Sequence, residues 1–146
     1  MGRRDSLSSR TEESFQKREG GVNGITFDAG GLIALDRNDR RVLTLIARAT
    51  ERGMRIIIPA TALAQALRSP ARQARLSRLI RQAGTDLMPL DGPDAAAVGL
   101  LLARTATADI VDAHVVICAR RAGQAVVTSD AGDLRRLAPE LRLVVV

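Results

Sequence analysis

The sequence has no tryptophan and no tyrosine, and its only phenylalanines are Phe15 and Phe27. This removes the aromatic rings on which most single-strand-binding modules stack bases, so any nucleic-acid recognition must run through phosphates and shape. The single cysteine, Cys118, cannot close an internal disulfide or build a cysteine-based zinc site, and the single histidine, His114, excludes a histidine-rich metal centre. Lysine is almost missing as well: Lys17 is the only one, so the positive charge is arginine. No apolar run approaches the ~18 residues that span a bilayer, and the first residues lack the apolar core of a signal peptide. The expectation is a soluble, cytoplasmic protein with no membrane partner.

What is present is one ordinary domain's worth of chain, 146 residues, with a globular balance of 46% hydrophobic and 26% charged residues. The net charge of +6 is unevenly placed. Residues 40–81 carry ten arginines against one acid, Glu51, whereas residues 24–39 and 83–146 are each net acidic. Arginine binds phosphate bidentately, so a basic middle between acidic flanks points to a polyanionic partner. The plain alternative is a set of solvated helix faces. Residues 1–23 are polar, of mixed charge, and nearly end in a glycine pair. They read as an extension, flexible or a frayed helix, that contributes little buried area and is dispensable for folding. The domain proper is residues 24–146.

From Gly24 onward, short β-branched runs alternate with helical periodicities. Segments 25–27, 55–58, 86–90, 125–128 and 143–146 read as strands. Val42, Leu45, Ile46 and Ala49 follow the i, i+3, i+4, i+7 rule, as do Ala60, Leu63, Ala64 and Leu67, and then Leu76, Leu79, Ile80 and Ala83. Two more helices are expected, one from about Asp94 to Arg104 and one from Ile110 to Arg121, the latter apolar nearly all round and therefore central. Alternation of this kind, with strands too apolar for a half-exposed sheet, predicts a parallel sheet covered by helices on both faces.

Ligands of such sheets bind beyond the carboxyl ends of the strands, where the strand order reverses. Three groups of acids fall at those edges: Asp28 after the first strand, Asp109 and Asp112 at the start of the apolar helix, and Asp130 and Asp133 after the fourth strand. Each alone is explained as a helix cap, since aspartate is a favoured N-cap and the helix dipole favours acids in the first turn. Together they form a carboxylate cluster, which repels itself and needs compensating cations; oxygen-only ligands point to Mg²⁺ or Mn²⁺. Two hard cations beside an arginine-rich surface suit hydrolysis of a phosphodiester, one activating the attacking water and the other stabilising the departing oxygen. We expect Asp28, Asp112 and Asp130 to converge on one pocket with Asp133 beside them.

The segments FDAGGLIAL, IPATALAQALR, DIVDAHVVICARRAG and VVTSDAGDL, in this order and spacing over residues 24–146, resemble a PIN domain, in particular a VapC-like toxin. The resemblance implies a PIN-like three-layer α/β/α sandwich with a five-stranded parallel sheet. It also implies Mg²⁺- or Mn²⁺-dependent ribonuclease activity on an RNA substrate, a cognate antitoxin partner and a homodimer. By position it assigns Asp28, Asp112, Asp130 and Asp133 to catalysis and metal binding, with Asp109 an outer ligand or only a cap. The family usually carries a glutamate on the helix after the second strand, and the matching residue here is Gln65, whose amide is a weak ligand. Gly30 replaces a small hydroxyl residue common in relatives, removing a hydrogen bond near Asp28. Gln65 therefore leaves a second reading open, a catalytically weakened domain that binds RNA or an antitoxin.

Thr128 and Ser129 are candidates for polar support of a carboxylate or phosphate, and Ser129 equally for capping the following helix. Arg68, Arg72 and Arg75, with Arg78 and Arg81 continuing the stripe, are candidates for RNA contact; the stripe serves equally as an antitoxin or dimer contact or as a plain solvated face. His114 lies about 200° round the helix from Asp112 and should point away from the acids, as a partly buried packing residue; Cys118 reads as core. Glu51, Asp86, Asp91 and Asp94 read as surface or caps. A receiver-like regulatory domain also clusters acids after parallel strands, but it expects a lysine near the last strands, where this chain has none.

Overall fold

The computed structural model describes residues 23–146; the expected extension, except Asn23, lies outside the described residues. Five strands, β1 Gly24–Phe27, β2 Arg55–Pro59, β3 Thr85–Met88, β4 Ala125–Thr128 and β5 Leu143–Val145, form one parallel sheet in the order β3-β2-β1-β4-β5. Seven helices connect them: α1 Ala29–Asp36, α2 Arg40–Glu51, α3 Ala60–Ala66, α4 Ala74–Arg81, α5 Gly92–Thr105, α6 Ile110–Ala122 and α7 Gly132–Leu137. The central strands are buried along their whole length, which is why they read as unbroken apolar runs rather than an alternating pattern.

The expected helices form at their sequence signals. Asp39 caps α2 by accepting from the amides of Arg41 (2.8 Å) and Val42 (3.3 Å), and Asp91 caps α5 by accepting from Asp94 N–H (2.9 Å). The α6 helix starts at its Asp109 cap and stops at Gly123, whose φ of +63° is the left-handed conformation that ends helices at glycine. Between these ends, Ala113, His114, Val115, Val116, Cys118 and Ala119 are all buried, so α6 is the central helix that its composition predicts. It lies against β1, β2 and β4 and touches α3, α5 and α7. Each valine so buried is worth about 1.5–3 kcal/mol relative to an exposed one.

Two expectations need correction. In α3 the buried residues are Ala62 and Ala66; Leu63 and Leu67 are half-buried and Ala64 is exposed. The helix runs between α1 and α6, and small side chains at 62 and 66 allow that close approach, leaving the leucines at the rim. Asp94 is not a surface residue: it is 2% exposed, paired with Arg121 and 3.6 Å from His114 Nε2. Asn23 is tied to the domain, its amide donating to Ala122 O at 2.9 Å.

Candidate metal and nucleic-acid site

Because β1 and β4 are neighbours although a hundred residues separate them (Ile25 is in register with Ala125), their ends present Asp28 and the Thr128–Asp130 turn side by side. Asp28 caps α1, accepting from Gly31 N–H at 2.7 Å, while its own amide donates to Val127 O at 3.2 Å. Glycine is required at 31: a Cβ there would lie 2.4 Å from Val127 O, and that backbone atom cannot move without disturbing β4. At Gly30 an added Cβ would lie 2.2 Å from Ser129 Oγ, so the serine hydroxyl occupies the space that a side chain at 30 would take. The two glycines thus seat the start of α1 on the end of β4.

Thr128 is fully buried, and its Oγ1 accepts from Asp130 N–H at 3.0 Å. Its hydroxyl lies 2.9 Å from Asp130 O and also reaches the Asp28 carboxyl. Burial pushes the Asp28 carboxyl up, partly opposed by hydrogen bonds from Thr128 and Gly31, and Asp130 raises it further. Asp130 Oδ1 accepts from Gly132 N–H at 3.1 Å at the start of α7; it is Asp130, not Ser129, that supports this turn. Asp130, Asp133 and Ser129 are exposed.

Asp112, in the first turn of α6, is the most perturbed of the edge acids. Its carboxyl is pushed up to about 6, chiefly by burial and then by Asp109, Asp28, Asp133 and Asp130. Four carboxylates from three separate segments therefore act on one. Asp109 caps α6 by accepting from Asp112 N–H (2.9 Å), and its charge bears on Asp112. Asp109, Asp112 and Asp133 line an open cavity of about 190 Å³ with Thr107, Ala108, Arg136 and Leu137. The three acids offer carboxylate oxygens, which suit a hard divalent cation.

Among the described residues, the grouping whose ligand atoms lie within 4.8 Å of one another is instead Asp94, His114 and Cys118, inside the core. There Arg121 donates to both carboxylate oxygens of Asp94 and holds its carboxyl down, so this charge is already compensated. The Nδ1 atom of His114 lies 2.7 Å from Thr61 Oγ1 on α3, and burial lowers its basicity. Burial also pushes the Cys118 thiol up to about 11, leaving it neutral. His114 is thus a packing residue facing away from the edge acids, as expected, though fully buried.

Gln65 is exposed on α3. Arg68 donates to Ala64 O (2.9 Å) and Leu67 O (2.8 Å), so it closes the end of α3 rather than standing free for RNA. Arg72 is exposed in the turn before α4, and Arg75 and Arg78 line a separate groove with Leu35, Leu43, Ile46, Leu79 and Gln82. Sequence reasoning missed Arg136 and Thr107, which share the cavity of the acids. The signal for Arg136 was its spacing, one turn after Asp133 on the same short helix.

The family model of the PIN domain matches residues 25–139. The chain belongs to the PIN domain family. No curated protein matches it in sequence. The PIN fold is seen again in a chain of the VapBC2 complex of Rickettsia felis bound to a DNA fragment from its promoter, at 13% identity and a TM-score of 0.60, covering 84% of this chain and 98% of that one. FitAcB of Neisseria gonorrhoeae is similar at 16% identity and a TM-score of 0.54, over 82% of this chain and 95% of its own. PAE2754 of Pyrobaculum aerophilum is similar at 16% identity and 0.54, over 86% of each chain. At these identities the likeness is one of fold, and this PIN domain's chemistry rests on its own residues.

Proposed function

We propose that this PIN domain is a Mg²⁺- or Mn²⁺-dependent endoribonuclease, the cytoplasmic toxin of a toxin–antitoxin pair. The observation that carries the reading is Asp112, its carboxyl pushed up to about 6 by burial and by four other acids of the same edge. Such a cluster is costly to a protein that has no use for a cation there. Asp28, Asp112, Asp130 and Asp133 would hold the ion, with Asp109 adding charge from the cap position. A bound divalent ion supplies an activated water and stabilises the departing oxygen. The chain's own part is positional: the α1 and α6 caps fix Asp28 and Asp109, and Thr128 holds the turn that carries Asp130. The family resemblance adds an antitoxin partner and a homodimer, and the VapBC2 and FitAcB likenesses are in keeping with the first.

A second reading, a weakened PIN domain that binds RNA or an antitoxin without cleaving, is favoured by Gln65, which is neutral where the family carries an acid. One experiment separates them. Purified protein is incubated with an end-labelled single-stranded RNA in Mg²⁺, Mn²⁺ or chelator, beside Asp112→Asn. Cleavage that needs metal, is stronger in Mn²⁺ and disappears in the variant supports the nuclease. No cleavage in either metal, with Gln65→Glu failing to restore it, sinks the nuclease and leaves the binding module.

A further inference from the structure

We propose that Arg136 is the phosphate-engaging residue of this site, so that RNA enters beside α6 and α7 rather than along the arginine stripe of α4. The inference rests on the reading of the edge as an RNA site and names the residue that holds the backbone there. Arg136 lines the same cavity as Asp109, Asp112 and Asp133. It is exposed, and among the described residues its guanidinium has no ion pair or hydrogen bond. That freedom is unusual in its surroundings. Asp133 stands one turn before it and two more acids line the same wall, yet none takes it. Elsewhere in the chain arginines beside acids are engaged, Arg55 with Asp86, Arg120 with Glu140 and Arg121 with Asp94.

A free guanidinium facing a carboxylate wall can receive an anion that the carboxylates themselves cannot. The open cavity of about 190 Å³ has room for a phosphate group. Guanidinium and phosphate meet in a planar, bidentate pair. By contrast, Arg68 spends its donors on the end of α3, and Arg75 and Arg78 face a groove whose other lining residues include four that are apolar, with no edge acid among them. Arg135 provides a matched comparison, since it shares the last turn of α7 and its exposure but does not line the cavity.

The test measures binding of a fluorescein-labelled single-stranded RNA by anisotropy in Mg²⁺, with Asp112→Asn as the uncleaving parent. Adding Arg136→Ala should weaken binding about three- to tenfold and lower the slope of log affinity against log salt by about 0.7, the value of one phosphate contact on a single strand. Arg136→Lys should recover part of the affinity, and Arg135→Ala should change neither quantity. In the otherwise native protein, Arg136→Ala should raise KM for RNA more than it lowers kcat. If Arg136→Ala behaves like Arg135→Ala while the native protein cleaves RNA, the inference is wrong and the nuclease reading survives. If binding depends on Arg136 but no metal supports cleavage, the inference survives and the nuclease reading fails. Absence of both cleavage and RNA binding overturns the two together, and loss of affinity for a protein partner alone assigns Arg136 to that partner instead.

Discussion

Two aspartates of this PIN domain, the buried Asp94 and the half-buried Asp112, sit in the first turns of successive helices, yet their acidities move in opposite directions. Asp94 is held down by Arg121 and, more weakly, by His114; Asp112 is pushed up to about 6 by burial and by four like charges. Burial opposes ionisation at both positions, so the difference lies in the neighbours. At Asp94 the fold supplies its own cation and the charge becomes part of the architecture. At Asp112 the neighbours that act on the carboxyl are other acids.

The comparison is broken most severely by Asp112→Asn. We expect RNA cleavage to fall by about 10³-fold or more, as befits loss of several kcal/mol of transition-state stabilisation, with the circular dichroism spectrum unchanged. A variant that retains a tenth of native activity would remove Asp112 from the site.

The mirror experiment is Asp94→Asn. It leaves Arg121 and His114 without their carboxylate, and because Arg121 is half exposed the cost is about 2 kcal/mol rather than the 3–5 of a fully buried pair. The thermal midpoint should drop by about 4–8 °C while metal-dependent cleavage by the folded protein persists. A midpoint within a degree of native would show that this pair contributes nothing.

On the stability scale Asp112→Asn should move the other way. An acid whose folded pKa is raised binds more protons folded than unfolded between about 3.8 and about 6, so its contribution to stability is greatest below that window and is lost as pH rises through it. After allowance for solvent screening, the loss at pH 7 is about 1–2 kcal/mol. The metal-free variant should therefore melt a few degrees above native at pH 7 and no higher at pH 4, and Mg²⁺ should stabilise the native protein more than the variant. Equal melting at pH 7 without metal would mean the edge charges are already neutralised. The smallest effect is expected from Gln65→Glu, a several-fold gain in cleavage at limiting Mn²⁺ that vanishes at saturating metal; the assay is a metal titration of initial rates.

Much of this was legible in the sequence, for identifiable reasons. The α6 helix was readable because its cap, its apolar interior and its terminal glycine all agree. The edge acids were readable because a parallel sheet sends every strand end to the same side. By contrast, α1 carries two glycines and almost no polar residue, so AGGLIALD shows no period, and only its seat on β4 explains it. The burial of Asp94 was hidden because the arginine that permits it lies 27 residues away on another helix. The face of α3 was misjudged because the spacing of Ala60, Leu63, Ala64 and Leu67 was taken as the guide to burial, whereas a helix wedged between two others turns its small Ala62 and Ala66 inward. Arg136 gave only a spacing, and its solitude appears once the surrounding acids are in place.

The pairing of β1 with β4 has a consequence for the timing of synthesis. Asp28 is translated about a hundred residues before the strand that completes its surroundings, which begins at Ala125 and is followed by the Asp130–Asp133 turn. Until β4 inserts beside β1, the first carboxylate stands apart from its partners, and a pairing so distant in sequence is among the slow steps of folding. The β4 strand and the turn after it must therefore be translated before these acids can assemble, and a product ending before β4 would lack Asp130 and Asp133 beside Asp28.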